Sequence, residues 1–166
     1  MRGSEPWLVK FPAAQEKSWV CALEEVYACM ARMTGIEFPT SRYFPLGNGL
    51  VAFGVKRFDR TEGLRVPVLS LSGALHADFR MPYLDYSQVL IATSLITRSA
   101  TELKVQARRI VFNVLMHNRD DHAKNFSFTL NTEGEWKVSA AYDLTFQNGS
   151  EGEHQTSVGG YERQIS

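Results

Sequence analysis

The sequence Asn118-Arg119-Asp120-Asp121-His122-Ala123-Lys124-Asn125 holds the densest group of polar and charged side chains in the chain. It lies between a predicted helix that begins near Ser99 and a predicted strand over 125–130. Loops at such junctions commonly carry binding and catalytic groups, because a rigid scaffold positions them. We therefore expect the functional site to form around this stretch.

The spacing of three oxygen-bearing side chains indicates a particular chemistry. Asn125 follows Asp120 by five positions, and Asp143 comes directly after a predicted hairpin. Phosphoryl transfer from ATP needs a carboxylate near the attacking hydroxyl and oxygen ligands for Mg²⁺, a hard cation. In protein kinases a base Asp is followed five residues later by a metal-binding Asn, and a metal-binding Asp comes further on. The pattern therefore indicates phosphoryl transfer, and Arg119 precedes Asp120 as an Arg does in the kinase catalytic loop.

A lysine near the start of the chain fits the same chemistry. Lys10 lies in the apolar run 7–11, which predicts a strand. The helix predicted from Ser18 to Thr34 follows it and carries Glu24 and Glu25. A kinase lysine projects from a strand to the nucleotide phosphates and pairs with a helix glutamate. Either Glu24 or Glu25 would be that partner.

The remaining sequence predicts a mixed α+β chain without regular βαβ alternation. Strands are predicted over 38–44, 49–58, 125–130 and 136–141, and helices over 86–96 and from Ser99 to about His117. Residues 59–81 are expected to be irregular, and the polar stretch from Gln147 onward has little to bury. Ser99 and Glu102 fit a capping box, in which each side chain accepts the other's backbone N–H.

Composition excludes several classes of protein. The 166 residues carry 18 basic and 18 acidic side chains, so the formal net charge is zero and a dedicated nucleic-acid binder is not indicated. No apolar run approaches the roughly 18 residues that span a bilayer, and no secretory signal is evident. Cys21 and Cys29 fall about 12 Å apart along one predicted helix. That separation predicts two free, largely buried thiols in a reducing compartment.

The residues around Asp120 resemble a known family. Asp-Asp-His-Ala-Lys-Asn-Phe-Ser at 120–127, followed by Tyr142-Asp143, resembles the core of HipA-like serine/threonine kinases, the toxins of bacterial toxin–antitoxin systems. Residues 7–12 resemble the family's nucleotide-lysine strand, 35–39 the segment after its regulatory helix, and 55–60 its interlobe hinge. The resemblance covers most of the chain and implies a protein-kinase-like two-lobe α+β fold.

The resemblance implies roles for the residues of the central stretch. Asp120 is similar to the family's catalytic base, and His122 and Lys124 lie in supporting positions of the catalytic loop. Asn125 and Asp143 are similar to its magnesium ligands. A protein serine or threonine hydroxyl is the implied phosphate acceptor.

The resemblance also implies a nucleotide site. Lys10 is similar to the phosphate-binding lysine, and Glu24 is its implied partner. The hinge backbone near Arg57 and Phe58 is expected to hold the adenine. ATP and Mg²⁺ are therefore the expected cofactors.

Family members are longer, with a glycine-containing phosphate loop before the lysine strand and further helices after the metal-binding Asp. We therefore expect an incomplete kinase fold, with residues 1–60 as part of the N-lobe and hinge and 61–166 as part of the C-lobe, including the metal-binding hairpin. Helix 86–96 would cover part of the apolar face of the next helix (Leu103, Ile110, Val111, Val114 and Leu115). The uncovered part, and the sheet edge at 7–11, predict self-association. The family implies an antitoxin partner and a cytoplasmic location.

Two other functions fit parts of the same pattern. His117, Asp120, Asp121 and His122 lie close together and would suit a hydrolytic transition-metal centre. Alternatively, a kinase-like fragment with impaired catalysis would act as a binding module for a nucleotide or a protein. Asp120 and Asp121 would also suit a solvated turn after a helix.

Overall fold

The computed structural model describes residues 5–75, 84–147 and 154–157. They form two compact units: the first holds the described residues up to Arg65 together with Ala140–Thr145, and the second holds the others. No helix in these ranges is long and apolar enough to cross a membrane. The helices are α1 (Trp19–Met33), α2 (Leu71–Leu75), α3 (Tyr86–Thr97) and α4 (Ala100–Leu115). The strands are β1 (Trp7–Lys10), β2 (Ser41–Gly47), β3 (Leu50–Lys56), β4 (Arg60–Thr61), β5 (Leu64–Arg65), β6 (Val68–Ser70), β7 (Leu84–Asp85), β8 (Ser127–Leu130), β9 (Trp136–Val138) and β10 (Thr156–Ser157).

The first unit is built on an antiparallel sheet with the strand order β1-β3-β2. β1 pairs with β3 so that Lys10 lies opposite Phe53. The sequence predicts β2 over 38–44, but the strand begins only at Ser41. Arg32 of α1 donates to the Pro39 carbonyl at 3.1 Å and to Ser41 Oγ at 2.9 Å. Pro39 is therefore bonded to the helix, and bonding to the sheet begins at Thr40, whose carbonyl accepts the Lys56 N–H at 2.8 Å.

Helix α1 packs one stripe against β2 and β3. The stripe buries Cys21, Tyr27, Ala28 and Ala31 together with the carboxylate residue Glu24. Gly35, with φ of 75°, ends the helix in a Schellman motif, in which Ile36 N–H donates to the Ala31 carbonyl at 2.9 Å. Both cysteines are free, but only Cys21 is buried, so the expectation of two buried thiols is wrong for the exposed Cys29.

The second unit has a core formed by α2, α3 and the sheet β6-β8-β9. Its buried apolar side chains are Leu71, Tyr86, Val89, Ala92, Phe126, Phe128 and Val138. β6 and α2 fall in the region that the sequence predicts to be irregular. They span three and five residues, which is too short for a periodic apolar pattern.

Helix α4 buries polar side chains that its apolar pattern does not predict. Gln106, Arg109 and Asn113 are at most 2% exposed, and Arg109 donates to the Ser139 carbonyl at 2.6 Å. Ile110 and Val114 pack against the core cluster, whereas Val111 is 55% exposed. The helix therefore has a polar buried side beside its apolar one.

The predicted capping box of α4 forms only in part. Ser99 Oγ accepts the Glu102 backbone N–H at 3.3 Å, but the Glu102 carboxylate accepts the Val138 N–H of β9 at 2.8 Å. Ser99 N–H donates to Thr97 Oγ1 instead. The carboxylate thus links α4 to the sheet of its own unit.

Residues 154–157 correct the expectation that the chain after Gln147 has little to bury. His154 is 7% exposed and Thr156 is fully buried. Strand β10 pairs in parallel with β7, placing Thr156 opposite Leu84. Polar side chains with buried hydrogen-bond partners, rather than apolar ones, fix this segment in the second unit.

Candidate functional site

In the first unit, Lys10 joins two carboxylates from different parts of the chain. Its Nζ donates to Glu24 Oε2 of α1 at 2.8 Å, and it also donates to Asp143 Oδ1. The neighbouring Glu25 instead pairs with Arg32 at 3.1 Å. Of the two glutamates that the sequence leaves open, Glu24 is therefore the one that contacts the lysine.

Burial and the neighbouring charges together set the pKa values of Lys10 and Glu24. Burial alone lowers the pKa of Lys10, but the carboxylates of Asp143 and Glu24 outweigh it and leave the pKa above its usual value of 10.5. Burial raises the pKa of Glu24, and the adjacent Lys10 charge opposes that rise. Lys10 is therefore a fixed cation at neutral pH, held by two carboxylates.

The backbone holds Asp143 in an unusual conformation. Its φ is 57°, in the left-handed region that few non-glycine residues adopt. Just before it, Ala141 N–H donates to the Glu37 carbonyl at 2.7 Å, and the Tyr142 ring stacks on Phe58 with 5.6 Å between centroids. These contacts explain why Ala140–Thr145 belongs to the first unit, although the sequence assigned it to the region 61–166. Such outliers cluster at functional sites, which makes Asp143 a candidate.

The predicted hinge lies in the same unit. Arg57 N–H donates to the Pro6 carbonyl at 3.0 Å, and its guanidinium pairs with Asp59. Hydrogen bonding from Arg57 lowers the pKa of the Asp59 carboxyl. Arg57 and Phe58 line a cavity of about 880 Å³ with residues of β4 and with the segment before β2. The adenine-binding role of Arg57 and Phe58 stays a prediction.

The second unit holds the other predicted residues in a tight turn. Asn125 Nδ2 donates to the Asp120 carbonyl at 2.7 Å, and Asn125 N–H donates to the His122 carbonyl at 2.8 Å. His122 Nε2 lies 3.7 Å from Asp120 Oδ1, and Lys124 is exposed. The five-residue spacing therefore reflects one closed loop in which the Asn125 amide fixes the backbone of Asp120.

Within residues 5–75, 84–147 and 154–157, no three His, Cys, Asp or Glu side chains form a group suited to a metal ion. The two histidines and two aspartates that suggested a transition-metal centre do not form such a group, although His122 lies near Asp120. His117 Nδ1 lies 3.4 Å from Arg119, and Asp121 is directed into buried hydrogen bonds. This arrangement does not support a hydrolytic metal centre.

The buried structural role of Asp121 is not predicted from the sequence. Asp121 is fully buried, which excludes the solvated-turn interpretation for this carboxylate. Its Oδ2 accepts the Tyr86 hydroxyl and lies 2.9 Å from His154 Nδ1. Its Oδ1 accepts the backbone N–H groups of Gln155 and Thr156 at 2.9 and 3.1 Å. The only sequence signal was a second carboxylate beside Asp120.

Through Gln155, the same segment reaches the predicted base. Gln155 Nε2 donates to Asp120 Oδ1 at 2.9 Å. Asp120 is thus contacted at its carbonyl by Asn125 and at its carboxylate by Gln155. No role for Gln155 is predicted from the sequence, because it lies in a polar stretch without periodicity.

The model of the HipA-like C-terminal domain family matches residues 1–166, the whole chain. The protein Y4dM of Sinorhizobium fredii (strain NBRC 101917 / NGR234), which is provisionally named a kinase, is 30% identical over 151 residues. The match covers 83% of this chain and 36% of that protein. The chain therefore spans about a third of the length of the curated relative it matches. The family match confirms the resemblance that the sequence indicated.

Two solved structures share the fold. HipA of Shewanella oneidensis MR-1, in complex with HipB and its operator DNA, matches with a TM-score of 0.75 at 19% identity, over 90% of this chain and 40% of that one. The Helicobacter pylori proinflammatory kinase CtkA matches with a TM-score of 0.63 at 18% identity, over 84% and 50%. These likenesses confirm the predicted kinase-like α+β fold.

Proposed function

The chain belongs to the HipA-like C-terminal domain family, and from that premise we propose that it transfers the γ-phosphate of ATP to a serine or threonine hydroxyl of a protein. The observation that carries this proposal is the pairing of Lys10 on a strand with Glu24 on the next helix and with Asp143. A kinase uses this combination of groups to hold nucleotide phosphates. The fold supports the proposal independently of these side chains.

Lys10 would bind the phosphates of ATP. Its side chain is 31% exposed and that of Glu24 is 11% exposed, so the glutamate is the more deeply held member of the pair. Glu24 therefore fixes the direction of the lysine. A fixed ammonium group stabilises phosphate charge without having to reorganise when the nucleotide binds.

The oxygen atoms of Asp143 and Asn125 suit Mg²⁺, which prefers hard oxygen ligands and keeps waters and substrate phosphates in its shell. The Asp143 side chain is 44% exposed and is therefore accessible to an ion. Asn125 uses its Nδ2 on the Asp120 carbonyl, which leaves its amide oxygen as the ligand atom. When bound, Mg²⁺ neutralises charge that develops on the β- and γ-phosphates.

Asp120 would act as the base. The oxygen of the acceptor hydroxyl forms a bond to the γ-phosphorus, the bond to the β–γ bridging oxygen breaks, and ADP leaves. The Asp120 carboxylate accepts the hydroxyl proton. His122, at 3.7 Å from Asp120 Oδ1, and Lys124 would support the loop.

We extend the proposal to a toxin that is controlled by an antitoxin protein. The Shewanella HipA structure, which shares the fold, contains HipB and operator DNA. Expression of the protein would then arrest bacterial growth, and co-expression of the antitoxin would relieve the arrest.

Labelled ATP tests the central proposal. The protein is incubated with [γ-³²P]ATP and Mg²⁺, with and without EDTA, and acid hydrolysis identifies any phosphorylated amino acid. We expect EDTA-sensitive phosphoserine or phosphothreonine. Nucleotide binding without transfer would contradict the proposal and favour the binding-module alternative.

A further inference from the structure

Gln155, in the described stretch 154–157, lies beside the catalytic loop of the second unit. The backbone N–H of Gln155 is shared between two acceptors: it lies 2.9 Å from Asp121 Oδ1 and 3.2 Å from the Arg119 carbonyl. The next residue, Thr156, is fully buried and donates its hydroxyl to the Asp121 carbonyl. The main chain of Gln155 is therefore anchored on both sides of Asp120.

With its main chain held in this way, the side chain of Gln155 contacts one carboxylate oxygen of Asp120. Its Nε2 donates to Asp120 Oδ1 at 2.9 Å, while the side chain itself is exposed and makes no contribution to the core. A bond to Oδ1 fixes the plane of the carboxylate and directs Oδ2 away from Gln155. An amide does this without adding a charge beside the carboxylate.

We propose that Gln155 is a positioning residue for the phosphotransfer step, orienting the Asp120 carboxylate toward the acceptor hydroxyl. This inference rests on the proposed function, because it assigns Asp120 as the base. A correctly oriented base is needed in the transition state but not for binding ATP. Loss of the Gln155 amide should therefore lower kcat and leave the KM for ATP unchanged.

The buried carboxylate of Asp121 holds the main chain at Gln155 independently of the Gln155 side chain. It holds the backbone of Gln155 and Thr156, so substitutions at the Gln155 side chain leave the anchoring bonds in place. A variant without the amide should therefore fold and melt like the parent. The effect on kcat then reports orientation and not stability.

The test compares Gln155→Met, which keeps the side-chain length and removes the donor, with the parent protein. The probe is [γ-³²P]ATP with Mg²⁺ and dephosphorylated casein as acceptor. We expect kcat to fall roughly 10- to 100-fold, with an unchanged KM for ATP and an unchanged melting temperature. Gln155→Glu, which also lacks the donor and adds a like charge, should lose at least as much. Gln147→Met makes the same change at another exposed position and should transfer phosphate at the parent rate.

The outcomes separate this inference from the proposed function. If the parent transfers phosphate and Gln155→Met matches or exceeds its rate, the positioning role is wrong and the proposed function stands. A rise in KM for ATP at constant kcat would also overturn it, because it would place Gln155 in nucleotide binding. If the parent transfers no phosphate to casein or to itself, the proposed function fails and the positioning role fails with it.

Discussion

Lys10 Nζ lies 2.8 Å from Glu24 Oε2, so a strand and the helix that follows it are joined by an ion pair within one unit. The same nitrogen contacts Asp143, which is 133 positions further along the chain. Two carboxylates converge on one cation, so the three side chains carry a net charge of −1, and ATP is expected to bind beside Lys10 together with Mg²⁺, whose charge offsets the carboxylates. The pair therefore gives the first prediction.

Replacing Lys10 by Met should weaken ATP binding about 30-fold, because a hydrogen bond to a charged group contributes about 2 kcal/mol. Isothermal titration calorimetry with Mg·ATP measures the change. Lys17→Met removes a lysine that is exposed in the same unit and should bind ATP like the parent. Equal affinity for the Lys10 variant and the parent would show that the ion pair is only structural.

Replacing Asp143 by Asn should remove the magnesium dependence of ATP binding. The amide keeps the shape of the side chain but lacks the charge that attracts a divalent cation. Calorimetry with and without Mg²⁺ gives the ratio of the two affinities, which we expect to approach one in the variant. Glu133→Gln, in the hairpin loop, is the control. A ratio as large as the parent's in Asp143→Asn would remove Asp143 from the metal site.

The sequence predicted those parts of the fold that depend on local patterns. The apolar spacing of α1 and the run that contains Lys10 predict a helix and a strand, and the structure has both within one or two residues. Glu102 shows where prediction from local patterns fails. Its position in a capping box is a local signal, but the Val138 N–H, 36 positions away, competes for the same carboxylate.

In the candidate site, too, contacts within a short loop are predictable from the sequence, and contacts between distant residues are not. Asp120 and Asn125 are recognisable because one short loop brings them together, so their spacing is itself the signal. Gln155 and Asp121 are 34 positions apart and meet only in the folded chain. Polar side chains that bury through hydrogen bonds leave no periodic pattern, and this contact therefore could not be predicted from the sequence.

Replacing Asp120 by Ala should abolish phosphate transfer and leave ATP affinity close to the parent's. General-base catalysis contributes roughly 10²- to 10⁴-fold, so the rate should fall by at least that factor. Transfer from [γ-³²P]ATP and calorimetry measure the two properties on one preparation. Asp85 is an N-cap residue of the same unit, and Asp85→Asn keeps a capping side chain. The Asp85→Asn control should transfer phosphate at the parent rate. Transfer at the parent rate by Asp120→Ala would contradict the assignment of Asp120 as the base.

Tyr86 gives a prediction about stability that does not depend on catalysis. It is 3% exposed, and its hydroxyl donates to the fully buried Asp121 carboxylate. Tyr86→Phe removes this donor and also the side-chain hydrogen bond between the hydroxyl and Asn113, so it should destabilise the protein by about 1–3 kcal/mol at pH 7. Tyr43→Phe makes the same change in the first unit, where the ring is only partly buried, and should melt close to the parent.

The pH dependence of that loss follows from the pKa of Tyr86. Burial, and then the Asp121 charge, raise it well above the usual 10.0. The unfolded chain therefore releases the phenol proton near pH 10 while the folded protein retains it, so this stabilisation is complete below pH 10 and declines as the pH rises further. The Tyr86→Phe variant has no phenol at this position, so its stability does not change for this reason. The difference in melting temperature between parent and variant should consequently narrow between pH 9 and 11, and a constant or growing difference would show that the folded protein does not retain the Tyr86 phenol proton.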